Sequence, residues 1–292
     1  MIRGTTSLIA HLGYPTATFK APMINNPYFE KHGIDAVVKP LGCKAEDYTE
    51  VFRAVFRLTN IHGALITMPH KITTVGLLDE VSTTVKIAGS CNAVLRRPDG
   101  TLIGDMFDGE GFVRGVERKG RRLAGTQVLV VGSGGVGSAI AASLAAAGVA
   151  AIGLYDSSDA ASEELAGRLR QYYPQLDVRT GSRDPAPYDV VVNATPLGMD
   201  GRSRPWPVAD LAPHAALVDL VYHPAETPWL ADGRAAGRRT VNGLGMLLHQ
   251  AALADERWTG RPAPVDAMRT AVLAALDERA GADGKPGSTS VK

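Results

Sequence analysis

Apolar and polar positions fall into short alternating blocks along the first third of the chain. Leu8-Ile9-Ala10-His11-Leu12 reads as a buried strand, broken at Gly13-Tyr14-Pro15. Pro22 suits the first turn of a helix running toward His32, because a missing N–H costs nothing there, and Gly33 stops that helix. Asp35 to Pro40 alternates and carries β-branched residues, which predicts a strand. Between Glu46 and Thr59, the apolar residues Val51, Phe52, Val55, Phe56 and Leu58 recur at a helical period. Gly63 to Met68 is another apolar strand, and Pro69-His70-Lys71 opens a helix toward Leu78. Strand and helix thus alternate three times, which predicts an α/β domain. Asn92 to Leu95 and Thr101 to Gly104 flank Asp99-Gly100, a hairpin signal. A helix follows from Asp108 to Lys119, and the polar stretch 120–125 ends it.

The second half repeats the alternation around a glycine loop. The β-branched run Gln127 to Val131 ends in Gly132-Ser133-Gly134-Gly135-Val136-Gly137, and an alanine-rich helical segment continues to Gly148. The next strand, Ala151 to Tyr155, ends in Asp156. In a dinucleotide-binding unit the first glycine allows the turn, the second lets the backbone approach a pyrophosphate, and the third lets helix and strand pack closely. The acid at the end of the second strand binds the ribose hydroxyls. The helix N-terminus adds free N–H groups and a positive dipole end. Later come a helix from Ser162 to Tyr173 and strands at Asp177–Arg179, Asp189–Asn193 and Ala216–Val221, a pattern that fits a doubly wound parallel sheet of Rossmann type. Helices at Gly243–Ala252 and Val265–Leu276 then need a surface, and the first domain offers one. The expected division is a substrate domain at 1–107 and 241–280, a nucleotide domain at 108–240, and a disordered Gly/Ser/Pro/Lys-rich tail at 281–292.

Composition narrows the function classes. Apolar content of 45% and charged content of 21% fit a globular chain. A net charge of +1 gives no electrostatic case for nucleic acid or an anionic membrane. Cys43 and Cys91 are too few for a disulfide framework, and the seven histidines show no His-x-x-x-His spacing, so no metal is expected. His70 and His249 are expected to be structural or solvent-facing. No membrane-length apolar run and no signal-peptide core are present. A cytoplasmic protein with a small-molecule substrate, monomeric or homodimeric, is the expectation.

The order of several short motifs resembles the shikimate/quinate dehydrogenase family over residues 6–278. They are Ile66-Thr67-Met68-Pro69-His70-Lys71, Gly89-Ser90-Cys91-Asn92-Ala93, Gly104-Asp105-Met106-Phe107-Asp108-Gly109, Asn193-Ala194-Thr195-Pro196-Leu197-Gly198-Met199, Asp219-Leu220-Val221-Tyr222-His223-Pro224 and Gly245-Met246-Leu247-Leu248-His249-Gln250. The resemblance implies a catalytic pair, Lys71 and Asp108. It implies that Thr67, Asn92 and Gln250 hold substrate hydroxyls and that Tyr222 lines the site. On the cofactor side it implies Gly132, Gly134, Gly135, Val136, Gly137, Asp156, Ser157, Asn193, Thr195, Val221 and Gly243. A lysine beside an aspartate in a partly closed cleft suits the proton transfer that accompanies hydride transfer from a secondary alcohol. Taken alone, Asp108 also reads as a simple helix N-cap.

The sequence departs from the family at the substrate wall. Two serines that usually hold the substrate carboxylate are Phe19 and Ala21 here, the asparagine usually two residues before Thr67 is Leu65, and the usual asparagine–threonine before the aspartate is Met106-Phe107. A hydroxy acid such as shikimate should then be a poor substrate, and a less polar or differently substituted cyclic alcohol a better one. Lys20, Thr16 or Thr18 are the neighbours able to compensate. Asp156 followed by Ser157 and Ser158 predicts NAD rather than NADP, because a carboxylate there repels a 2′-phosphate. Two alternatives stand beside this reading. One is an ordinary biosynthetic enzyme that reduces 3-dehydroshikimate. The other is an NAD-binding sensor without turnover.

Overall fold

The computed structural model describes residues 2–270 apart from 225, 264 and 267. The expected tail, and most of the expected helix from Val265 to Leu276, lie outside the described residues.

The chain builds two sheets. The first is laid down by β1 (Ser7–Gly13), α1 (Ala21–Lys31), β2 (Ala36–Gly42), α2 (Tyr48–Val55) and β3 (Ile61–Ile66). Then come α3 (Lys71–Val75), β4 (Glu80–Val81), α4 (Thr83–Ala88) and the hairpin β5 (Ala93–Arg96) and β6 (Leu102–Asp105). The strand order is β2-β1-β3-β5-β6-β4. The strand β1 pairs in parallel with both neighbours, and the hairpin adds antiparallel pairs on β3. Sequence periodicity misses β4 and α4, which are two and six residues long. Local chemistry makes α4 instead: Ser82 accepts from Val85 N at the start, and Gly89, at φ +65°, closes the end.

The helix α5 (Phe107–Arg118) carries the chain into the second sheet. There β7 (Gln127–Val131), α6 (Gly135–Ala146), β8 (Ala151–Tyr155), α7 (Asp159–Tyr172) and β9 (Asp177–Arg179) form one wing, and β10 (Val190–Asn193), β11 (Ala216–Asp219), α8 (Pro228–Ala235) and β12 (Thr240–Asn242) form the other. The order β12-β11-β10-β7-β8-β9 is parallel throughout, the doubly wound 3-2-1-4-5-6 arrangement. Its switch point falls between β7 and β10, so a crevice opens at the C-terminal ends of those strands. Val128, Val130, Ile152, Leu154, Val190 and Val192 are fully buried beneath it. The helix expected from Ser162 begins earlier, at Asp159, because Ser158 caps it by accepting from Ala161 N.

The final described long helix, α9 (Leu244–Thr259), leaves the second sheet and packs back on the first. Leu248, Ala251 and Ala252 share a core with Ile9, Ile24, Phe29 and Val38. The helix α5 lies between α6 and α9 and meets both through glycines. A Cβ on Gly109 would run into the Ala139 carbonyl and the Ser143 hydroxyl of α6. One on Gly111 would stand 2.8 Å from Met246 O and Gln250 N of α9, and one on Gly115 would stand 3.2 Å from Gly245 C. Backbone therefore packs on backbone where the two halves of the molecule join. Gly111→Ala should cost about 1–3 kcal/mol, the usual penalty for overpacking a site whose neighbours are main chain. The measurement is a denaturant midpoint at unchanged slope; an unshifted midpoint would show that the α5–α9 contact is slack.

Candidate active site

Lys71 is the first residue of α3, placed by the turn that leaves β3. That turn is pinned from below by His70. Its ring lies flat on Tyr48 at 3.8 Å and 4°, and its Nε2 is 2.8 Å from the Cys43 carbonyl. His70 is thus structural, as its burial to 1% exposure requires. Asp108 is the second residue of α5, where the helix dipole favours a carboxylate. It does not cap the helix: the N-cap position belongs to Met106.

The two meet across the junction of the sheets. Lys71 Nζ donates to Asp108 Oδ2 at 2.6 Å. Asn92 Nδ2 donates to Asp108 Oδ1 at 2.9 Å, and Asn92 Oδ1 accepts from Phe107 N at 2.9 Å. Those two bonds fix the Asn92 amide and hold the carboxylate from the side opposite the lysine. The Asp108 side chain is 6% exposed and that of Lys71 22%. The carboxylate is sheltered while the ammonium keeps an open side.

A cavity of about 340 Å³ faces the pair. Thr67, Asn92, Tyr222, Gln250, Phe19 and Ala21 all line it, together with Lys71 and Asp108. Leu65 and Phe107 are also on its wall, as are His11 and Lys20. Phe19 does not turn into the core: its ring lies on that of His11, centroids 4.0 Å apart. Gln250 is placed by α9 and its Oε1 is buried without a hydrogen-bond partner, as is His11 Nδ1. His249, one residue away, lines a different cavity on the far side of α9.

A second cavity, of about 420 Å³, lies over the C-terminal ends of β7, β8 and β10. Gly132, Gly134, Asp156, Ser157 and Thr195 line it. Gly132 has φ +99°, and a Cβ on it would stand 2.7 Å from Ala194 O; a Cβ on Gly137 would collide with the Gly132 carbonyl. The helix α6 starts at Gly135 with Gly134 as an uncapped N-cap, so its first N–H groups remain available to an anion. Val136, from the same loop, lines the first cavity. The loop therefore borders both spaces. Asp156 accepts from Ser158 N at 3.0 Å and Ser133 N at 2.7 Å, bonds that hold its carboxyl below the usual carboxylate range. These residues fit a dinucleotide: an open helix end for phosphates, room that only glycine leaves, and a charged acid at the ribose position.

Asn193, Val221 and Gly243, like Gly135 and Gly137, lie outside the linings of both cavities. Asn193 is fully buried; its Nδ2 donates to Leu197 O and Asp219 Oδ1, and its Oδ1 accepts from Thr195. Asp219 also accepts from Val221 N at 3.1 Å and from Thr227 Oγ1 at 2.7 Å. Burial pushes Asp219 up while these donors pull it down. Gly243 is needed because a Cβ would strike the Leu220 carbonyl. All three shape the turns that carry Thr195 and Tyr222.

The sequence did not point to His11 or Arg183. His11 sits in an otherwise apolar strand, and that mismatch is its only signal. Arg183 lines the second cavity, 5.7 Å over the Tyr155 ring and 5.6 Å over that of Trp206. It comes from a loop without a motif.

Comparison with known proteins places these features in a wider set. A model of the shikimate dehydrogenase substrate binding domain matches residues 12–94, and one of the shikimate 5′-dehydrogenase C-terminal domain matches residues 243–273. A ThiF family model matches residues 112–166, which include the glycine loop. The chain is 37% identical over 287 residues to a shikimate dehydrogenase (NADP(+)) of Symbiobacterium thermophilum, covering 94% of this chain and 96% of that protein. Among solved structures, shikimate 5-dehydrogenase from Listeria monocytogenes, in complex with shikimate and NAD, superposes with a TM-score of 0.87 at 28% identity, over 92% of this chain and 97% of that one. The ligand-free 5-ketofructose reductase of a Gluconobacter species superposes with a TM-score of 0.86 at 25% identity, over 92% and 99%. No described helix is long and apolar enough to cross a membrane.

Proposed function

This chain belongs to the shikimate dehydrogenase family, NAD(P)-dependent oxidoreductases acting on CH–OH donors, and we propose that its own substrate is a small cyclic alcohol other than shikimate, oxidised with NAD. The observation that carries the reading is the placement of Phe19, Ala21 and Leu65 on the wall of the cavity that holds the Lys71–Asp108 pair. Where the family resemblance implies hydroxyls and an amide, these three positions offer hydrocarbon. A hydrogen bond to a charged group is worth roughly 1.5–3 kcal/mol, so losing two weakens carboxylate binding by about 10²- to 10⁴-fold. The likeness to a protein named 5-ketofructose reductase supports the reading, since the same frame then serves an alcohol other than shikimate.

The residues divide the work by position. A bound nicotinamide supplies the hydride acceptor in oxidation and the donor in reduction. Lys71, on the cavity wall, takes the hydroxyl proton as it passes one of its own to Asp108, and its charge offsets the one that builds on the alcohol oxygen. Asn92 keeps the carboxylate in place. Thr67 and Gln250 meet further hydroxyls, and Tyr222, 39% exposed, lies on the rim. Gly132, Gly134 and Gly135 hold phosphates at the α6 end, and Asp156 holds the ribose, its charge set against a 2′-phosphate.

A second reading has its own support: relatives such as that of Symbiobacterium thermophilum are named for shikimate and NADP(+). It makes this chain an enzyme that reduces 3-dehydroshikimate. Two measurements separate them. Phe19→Ser combined with Ala21→Ser should raise kcat/KM for shikimate by about 10²-fold or more. A wild-type protein already efficient with shikimate, and unimproved by the double change, would favour the second reading. In fluorescence titrations NADH should bind at least about 10-fold more tightly than NADPH, a difference of about 1.4 kcal/mol. Tighter NADPH binding would show that Arg183, not Asp156, governs the adenosine end.

A further inference from the structure

His11 lies in β1, with Pro40 and Leu65 as its register partners. It is 7% exposed and lines the cavity that holds Lys71 and Asp108. The Phe19 ring stacks on the imidazole at 28°. Gly13, two residues along the same face, makes this possible, because a Cβ there would come within 2.8 Å of Phe19 Cζ and would strike Thr67 Cγ2. Phe19 is thus seated on a histidine. His11 Nδ1 is buried without a hydrogen-bond partner among the described residues, so no protein contact at that atom fixes the tautomer of the ring. Burial lowers the imidazole pKa to about 4, so at neutral pH the ring offers one donor and one acceptor and no charge.

We propose that His11 is a specificity-determining residue that hydrogen-bonds a hydroxyl or carbonyl of an uncharged, polyhydroxylated substrate. A neutral ring suits a neutral partner; a carboxylate buried against Phe19, Leu65 and an uncharged imidazole would find too little to offset its lost hydration. The Lys71 charge is already met by Asp108. Lys20 also lines the cavity, and the shikimate arm of the test below decides whether its charge serves a carboxylate.

The inference rests on the oxidoreductase reading above and is tested beside it. The wild-type protein with NAD is assayed against a panel of uncharged cyclitols and ketoses and against shikimate. The best uncharged compound should exceed shikimate in kcat/KM by about 10-fold or more. His11→Ala and His11→Val should each raise KM for it by about 10-fold while kcat changes little, with His11→Asn recovering part of the loss. NADH binding, unchanged in all three variants, confirms the fold. Shikimate as the better substrate, or a KM indifferent to His11 in an active enzyme, overturns the inference and leaves the oxidoreductase reading standing. No turnover across the whole panel and shikimate overturns both.

Discussion

Three glycines on α5 strip that helix of side chains where α6 and α9 cross it, and the positions of the reactive groups follow from this close approach. Asp108 precedes the first of these glycines. Gln250 lies on α9 where Gly111 meets it. The glycine loop begins the helix that Gly109 touches. One helix therefore sets the spacing between a carboxylate, a substrate-side amide and the phosphate-binding end of the second sheet. Lys71 and Asn92 arrive from the first sheet, after β3 and before β5, and complete the constellation. No single segment carries the site, so its geometry depends on how tightly these backbones pack.

Within that frame the cavity wall mixes charge and hydrocarbon: it carries the ion pair and Asn92, and it carries Phe19, Ala21 and Leu65 beside His11 and Lys20. Sheltering two opposite charges costs desolvation that their attraction need not recover, so the Lys71–Asp108 pair is poorly explained as a device for stability. The buried apolar clusters beneath the two sheets supply that. A sheltered pair facing a cavity bordered by a glycine loop is what the proposed proton transfer at a neighbouring oxygen would require.

Much of this was legible in the sequence, for identifiable reasons. The glycine loop and Asp156 come after apolar runs, and a strand end aims the next few residues toward the crevice; Lys71 and Asp108 were marked by the family resemblance. Both α/β units and the return of α9 could be read from alternation. The strands β4 and β12 and the helix α4 were missed because two, three or six residues show no period. The family resemblance implied Asn193, Val221 and Gly243 as cofactor-side residues, and in the structure the Asn193 amide is bonded to Asp219, Thr195 and Leu197. His11 was hidden in a strand whose alternation says nothing about which face meets the cleft. Arg183 reaches its cavity through tertiary packing on Tyr155 and Trp206, which no local pattern encodes.

The central claim is that the Lys71–Asp108 pair handles the proton while the second sheet binds the dinucleotide independently. Lys71→Met and Asp108→Asn, assayed with the alcohol the wild-type protein turns over best, test it most directly. Each should lower kcat by about 10²-fold or more and leave the NADH dissociation constant within about 2-fold of wild type. Near-normal kcat in either variant, or NADH binding lost in step with turnover, would contradict the account.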